Sequence, residues 1–331
     1  MQHPFFVNAM HRLGERAHQG GRLVRQEAAM ADLRIGLITA QPLRPASLAD
    51  LSVVAAGPVD HVGTIDHVSF HGGEGIDGLV TATAMATLLP ELPVYVGVYL
   101  LPLRHPVAVA RQLATLAQLA PGRIVFGVGL GGEDRHEVEI CGVDPRTRGR
   151  RMDASLRIVR SLLRGETVSW SDDFFRIDAA RILPAPAPPI PIVVGGRSDA
   201  ALRRAGRFGD GWIGVFNSAR RFAEATARVA EEANAARRDA VDWQHTMEIW
   251  CCFGESRESA RARISATLES FYRLPFGPFA RYCAFGTPEH VAEFVAPYVE
   301  AGCRVLNLIP AAPRLSHAVD GVAELKRLLG R

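Results

Sequence analysis

The stretch ARQLATLAQLAPGRIVFGVGLGG, residues 110–132, decides the fold. Its first half is helical. Pro106 stands at the helix start, where its missing N–H costs nothing, and Val107, Ala110, Leu113, Ala114 and Ala117 share one face. Pro121-Gly122 stops the helix. Residues 123–128 then read as a buried strand, and Gly127-Val128-Gly129-Leu130-Gly131-Gly132 carries the chain out of it. Helix, stop, strand and glycine exit make one turn of a repeating α/β unit.

The same alternation runs outward in both directions. Strands are predicted at 34–39, 67–71, 94–100, 123–128, 191–194, 211–215, 247–253 and 304–309. The third is apolar almost throughout, as a strand covered on both faces must be. Ser198 caps a helix over 199–208 that Gly209 closes, and Thr287-Pro288-Glu289 opens another that Gly302 ends. Eight such strands predict an α/β fold, a (β/α)8 TIM barrel. Between strands four and five stand roughly 60 residues more than a connector needs. They hold a helix over 151–163, a hairpin over 167–177 and a proline-rich run at 184–189, read together as an insertion region on the rim where barrel chemistry sits. The barrel domain is assigned to 33–331. Residues 1–32 read as a poorly ordered N-terminal extension: they have no clean apolar period and no signal-peptide centre, and Met30 precedes the first strand as a second start would.

Composition narrows the class. Of 331 residues, 48% are hydrophobic and 22% charged, the balance of a globular chain rather than a disordered or fibrous one. No run approaches ~20 apolar residues, so no membrane span is expected. Net charge is +3, and 37 of the 38 basic residues are arginine, Lys326 being the exception. They are dispersed among acids with no basic stripe, which argues against nucleic acid as a partner. The five cysteines show no CxxC spacing, so reduced thiols and a cytoplasmic location are expected. There is no HExxH motif or other metal spacing, and no GxSxG.

Candidate site residues cluster at predicted strand exits. Gly127, Gly129 and Gly131 let backbone approach a flat ring or a phosphate; the competing reading is a tight exit turn. A Rossmann fingerprint would need a helix at once, after the first strand of its domain, and here the polar Glu133 to Glu137 follows. Gly195, Gly196 and Arg197, leading into the capped helix, make a phosphate cradle or a plain turn. His67 and His71 lie four apart, on one face if the segment is a strand. His71, before Gly72-Gly73, is the candidate acid–base residue, because imidazole titrates near neutrality. His105 and Trp212 are candidates for the substrate side, with Tyr99, Leu101 and Phe216 as further apolar walls. For each the alternative is a structural role.

Several segments together resemble one family. They are LRHP at 103–106, the stretch quoted first, RTRGRRMDASLRIVRSLL at 146–163, PAPAPPIPIVVGGRS at 184–198, RRAGRFGDGW at 203–212 and FGTPEHVAEFVAPYVEAGCRVLNLI at 285–309. In this order they resemble the bacterial luciferase-like flavin and deazaflavin oxidoreductases and monooxygenases, over residues 33 to 329. The resemblance implies a TIM barrel with FMN or a deazaflavin coenzyme of the F420 type at its C-terminal mouth. It implies a non-proline cis peptide near Val98-Tyr99 beneath the ring, Gly127, Gly129 and Gly131 along the cofactor, and Gly195, Gly196 and Arg197 on its phosphate. It implies a small organic substrate and a homodimer.

The sequence departs from that family in places. Phe70-His71 stands where many members have Asp-His at the end of strand two, Gly131-Gly132 where many have Gly-Trp, and Asp153-Ala154 where many have Asp-Glu. Two chemistries follow from the resemblance: hydride transfer with the deazaflavin, or monooxygenation with reduced FMN. A catalytically silent flavin-binding barrel is the alternative. The deazaflavin is favoured because its acidic tail needs cations beyond the phosphate, and Arg197, Arg203, Arg204 and Arg207 with Arg146, Arg148, Arg150 and Arg151 stand near that site in the predicted fold.

Overall fold

A computed structural model describes residues 33–44 and 47–330. The N-terminal extension expected over 1–32 lies outside the described residues.

Eight parallel strands close on themselves: β1 (Arg34–Thr39), β2 (His61–Thr64), β3 (Val94–Leu100), β4 (Ile124–Gly129), β5 (Ile192–Gly195), β6 (Gly211–Val215), β7 (Thr246–Phe253) and β8 (Val305–Pro310). Each pairs with the next, and β8 returns to β1 with Gly36 opposite Asn307, which closes the (β/α)8 barrel. The helices are α1 (Ser47–Ala56), α2 (Gly78–Leu88), α3 (Pro106–Leu119), α4 (Arg135–Ile140), α5 (Arg148–Leu163), α6 (Asp199–Phe208), α7 (Ala219–Ala235), α8 (Arg257–Tyr272), α9 (Pro288–Glu300) and α10 (Val319–Leu328). A short strand, Ala284–Gly286, adds in parallel to the end of β7.

The period of two along each strand sorts side chains into two cores. Ile35, Leu37, Val96, Phe126, Val128, Trp212, Ile249 and Leu308 pack outward against the helices. Ile38, Tyr95, Val193, Ile213, Trp250 and Ile309 form a second cluster with the aromatic residues that follow α8.

The second strand corrects the sequence reading. It is His61–Thr64, fully buried between β1 and β3, with Val62 opposite both Leu37 and Val94. The segment placed there, 67–71, is instead one arm of a hairpin beyond the barrel, where His67–Phe70 pairs antiparallel with Glu74–Ile76. His61-Val62-Gly63-Thr64 is too short and too polar to show as an apolar run, whereas the hairpin imitates a strand of the right length.

The region between β4 and β5 is also more ordinary than expected. Helix α5 packs between α3 and α6 as an outer helix of the barrel. Its Asp153 meets the buried Arg204 of α6, and its Arg160 grips Asp210 at the foot of β6. What exceeds the barrel plan is α4 over the mouth and a hairpin, Val168–Ser171 with Arg176–Ala180. The hairpin tip brings Phe175 edge-on to His105, at 5.5 Å between ring centres, and both Phe174 and Phe175 beneath Arg151.

Candidate active site at the barrel mouth

The site begins with an irregularity in β3. Val96 lies opposite Phe126 and Tyr99 opposite Val128, so two residues, Gly97 and Val98, face Gly127 alone. The peptide between Gly97 and Val98 is cis, one residue before the expected position. Glycine at 127 is required, because a Cβ there would stand 2.3 Å from the carbonyl oxygen of Val96. The bulge turns Val98 inward. A Cβ on Gly129 would stand 2.5 Å from one Val98 methyl, and one on Gly195 would stand 3.3 Å from the other. The glycines at two neighbouring strand exits thus leave room for one valine at the floor of the mouth. Tyr99 points the other way. It is buried against Phe126, with the Arg104 guanidinium 4.3 Å above its ring, so it packs in the outer core rather than in the mouth.

Gly131 and Gly132 both have positive φ. The Gly131 carbonyl accepts from Arg148 at 2.9 Å, and that guanidinium fills the space a side chain at 132 would take.

At the exit of β5, Gly196 has φ +124°, and the Ser198 hydroxyl caps α6 by accepting from the Ala201 N–H. Among the described residues, the N–H groups of Arg197, Ser198, Asp199 and Ala200 have no acceptor, and Arg197 makes no ion pair. A solvent-facing turn with four free donors at a helix start is what a phosphate monoester or diester needs. Trp212 lies behind this turn. Its indole N–H donates to the Gly196 carbonyl at 2.8 Å, and its ring packs on Phe222 of α7. Trp212 is thus a buried support of the cradle and not a wall of the mouth.

The loop leaving β2 carries Asp66-His67. With β2 correctly placed, the Asp-His pair at its end is present, and the departure noted at Phe70-His71 disappears. Asp66 is buried and accepts from the N–H groups of Gly78 and Leu100, each at 2.9 Å, and from both Arg104 nitrogens. It ties the loop to α2 and to the end of β3. His67 turns to Glu137 of α4, with Nδ1 3.1 Å from Oε2. Glu137 also accepts from the N–H groups of Val68 at 2.7 Å and Ser69 at 3.2 Å. Burial opposes its charge, but His67 and the two N–H donors outweigh burial and hold its pKa below the ordinary value.

His71 sits at the hairpin turn with φ +40°. Its backbone N–H donates to Asp134, and its ring lies 3.7 Å from the same carboxylate. Asp134 is held below the usual carboxylate range, because N–H donors and His71 outweigh its desolvation. Phe70 lies between the two imidazoles, 4.0 Å from each. His105 is exposed at the start of α3, with its ring against Phe175 of the hairpin tip.

Inside the barrel the strands carry polar groups that the sequence reading passed over. His61 bonds Asn307 at 2.7 Å, and burial lowers its pKa to about 4. Glu248 lies level with Asn307 in the strand register. Burial pushes its pKa up to about 8, against a weaker opposing pull from the Asn307 amide. Glu248 Oε2 and Asn307 Nδ2 have no partner among the described residues, and a Cβ on Gly97 would stand 2.7 Å from that oxygen. An acid inside the otherwise apolar strand MEIWCCF, and Asp134 and Glu137 spaced three apart after the glycines, were the available signals.

Among the described residues no group of His, Cys, Asp or Glu is arranged to hold a metal, and no helix is long and apolar enough to cross a membrane. The luciferase-like monooxygenase family model matches residues 56–281, and the chain belongs to that family. Among its relatives are two enzymes described as F420-dependent glucose-6-phosphate dehydrogenases. That of Nakamurella multipartita is 35% identical over 53% of this chain and 53% of its own length. That of Rhodococcus erythropolis is 28% identical over 82% of this chain and 90% of its own. The chain spans about half the length of the curated relatives it matches at 35% identity or more. An F420-dependent secondary alcohol dehydrogenase, solved with an F420–acetone adduct, has the same fold, with a TM-score of 0.77 at 20% identity over 90% of this chain and 99% of that one.

Proposed function

We propose that this barrel is a deazaflavin-dependent oxidoreductase acting on a small organic substrate. The observation that carries the reading is the placing of the His67–Glu137 pair at the same mouth as the Val98 floor and the free N–H turn at Gly196. When bound, a coenzyme of the F420 type would supply a hydride acceptor or donor; the protein supplies its seat and the group that takes up or returns the substrate's proton. The turn from Gly196 to Ala200 holds the phosphate, with Arg197 beside it. Beyond it, Arg203 and Arg207 are exposed on α6 and make no ion pair among the described residues, so they are available to an acidic tail. Arg204 is committed to Asp153, and Arg146, Arg148, Arg150 and Arg151 are held by Asp144, the Gly131 carbonyl, Asp173 and the Pro102 carbonyl.

Glu137 is an acceptor, so the His67 proton sits on Nδ1, and Nε2 is left as the base for a substrate hydroxyl. As His67 takes that proton, the Glu137 carboxylate stabilises the imidazolium. The retained Asp-His pair and its buried carboxylate speak against a silent binding barrel. A homodimer belongs to the same reading, from family resemblance, and a cytoplasmic location, from the cysteine usage.

The test is a titration of the purified protein with F420 and with FMN at low and moderate salt, followed by ring fluorescence. F420 should bind more tightly, and its binding should weaken as salt screens the tail. His67→Ala should keep that binding and lose ~10²-fold or more in turnover. Tighter FMN binding, with oxygen consumed in the presence of reduced FMN, would make the protein a monooxygenase instead.

A further inference from the structure

A cavity of about 690 Å³ opens between the exits of β1, β7 and β8, under α1 and α8. That volume suits a ligand of drug-like size. Its inner wall is Ile38, Trp250 and Phe271, all apolar. The Phe271 ring is also edge-on to His67, 6.0 Å between centres, so one ring of the cavity wall touches the imidazole that the proposed function uses. Its outer rim carries charge: Arg44, Asp50, Glu74 and Arg314.

These charges are not equally available. Asp50 accepts from the N–H groups of Leu315 and Ser316, both at 3.0 Å, and so pins the loop after β8. Glu74 lies on the hairpin and also lines the neighbouring cleft, with Arg273. Arg44 and Arg314 are exposed, and among the described residues neither guanidinium has an ion pair or a side-chain hydrogen bond. The cavity therefore combines an aromatic wall with two uncommitted planar cations at its edge, a fork geometry suited to carboxylate or phosphate oxygens.

We infer that this cavity is the substrate pocket and that it selects an organic anion. The apolar body lies on Trp250 and Phe271, and a carboxylate or phosphate group meets Arg44 and Arg314 at the rim. The inference rests on the proposed function only for which end of the molecule faces His67; the charge preference stands without turnover.

The test compares two probes with nearly the same aromatic body. These are 1-anilinonaphthalene-8-sulfonate, an anion, and N-phenyl-1-naphthylamine, which is neutral. Binding is read by energy transfer from tryptophan. The sulfonate should bind about tenfold more tightly than the amine, and Arg44→Ala and Arg314→Ala should each remove about threefold of that preference. The double variant should bind both probes alike. Trp250→Ala, which removes the ring of the inner wall, should weaken both probes alike, which places them in this cavity. Thermal melting of each variant checks folding, and Arg220→Ala, an exposed arginine on α7, should change nothing. Equal affinities in the native protein, or a preference that survives in the double variant, would overturn the inference. His67→Ala should leave probe binding intact; if turnover fails to respond to that variant while the charge preference holds, only the proposed function falls.

Discussion

Glu137 and Glu248 are both shut away from water, yet they reach opposite charge states. Glu137 is held below the ordinary carboxyl value and Glu248 is pushed up to about 8. Burial is the first cause acting on each, and it disfavours the anion in both. The difference lies in donors. Glu137 comes from a short helix lying against a two-stranded hairpin, whose Val68 and Ser69 N–H groups are free to turn toward it. Glu248 sits in β7 between β6 and β8, where the backbone donors are spent on the barrel ladder. A rigid central strand can bury a carboxyl but cannot ionise it; a hairpin beside a helix can do both. The ionised carboxylate, with His67 as its partner, accordingly lies on the rim, and the neutral acid lies within the barrel.

The largest effect should come from removing the ionised member. Glu137→Ala leaves the His67 ring and two backbone N–H groups without their acceptor. It should cost about 3–5 kcal/mol of stability. Turnover should fall at least ~10²-fold, because Nε2 would no longer be fixed as the base. Urea unfolding and kcat on the same preparation test this together. A loss of stability under about 1 kcal/mol would mean that donors do not make the difference between the two glutamates.

Glu248 should behave in the opposite sense. Its pKa rises from 4.5 to about 8 on folding, so the folded protein holds a proton that the unfolded chain gives up. Stability is fully present below 4.5, declines as pH rises, and levels off above about 8. At pH 7 the cost is about 3 kcal/mol. Glu248→Gln keeps the shape without the titration. It should match the native protein near pH 4.5 and exceed it by about 3 kcal/mol at pH 7 and about 4 kcal/mol at pH 8, measured by urea unfolding at each pH. A flat difference across that range would show that Glu248 finds a donor in solution.

The contrast also explains what could be read from the chain. The barrel was legible because most of its strands are apolar runs bounded by glycine and proline, and the glycines were legible because a backbone that must pass close to a side chain admits nothing larger. Strand two was misread because His61 to Thr64 has no such run, while the hairpin 67–76 copies the appearance of a strand. A strand placed at 67–71 puts His71 rather than His67 at the strand exit, and it hides the Asp66-His67 pair that follows His61–Thr64. Tyr99 and Trp212 were placed in the mouth because aromatic residues near strand exits suit a pocket. Which face a side chain takes depends on the register across a bulge or a turn, and no local pattern carries that. The partner of His67 lies 70 residues away in sequence, and Asn307, level with Glu248 in the strand register, 59 residues away, so neither arrangement has a local signature.

The smallest effect should come from His71, which is a looser copy of the same pairing. Its ring is 3.7 Å from Asp134 rather than within hydrogen-bonding distance, and its side chain is 23% exposed, against 14% for His67. A half-buried pair beyond hydrogen-bonding distance contributes between zero and about 1 kcal/mol. What Asp134 needs from residue 71 is the backbone N–H, at 2.8 Å, which any residue except proline supplies. The φ of +40° restricts the choice of substitution, and asparagine tolerates that conformation better than alanine. His71→Asn should therefore lower stability by less than about 1 kcal/mol and change turnover by less than about threefold. The informative measurement is the pH profile of kcat/KM for the two histidine variants side by side. If His67 is the base, His71→Asn should keep the acidic limb of the profile and His67→Ala should abolish it. A loss of ~10²-fold in turnover with His71→Asn, with the limb gone, would transfer the proton to the Asp134 pair and reverse the ranking of the two rim carboxylates.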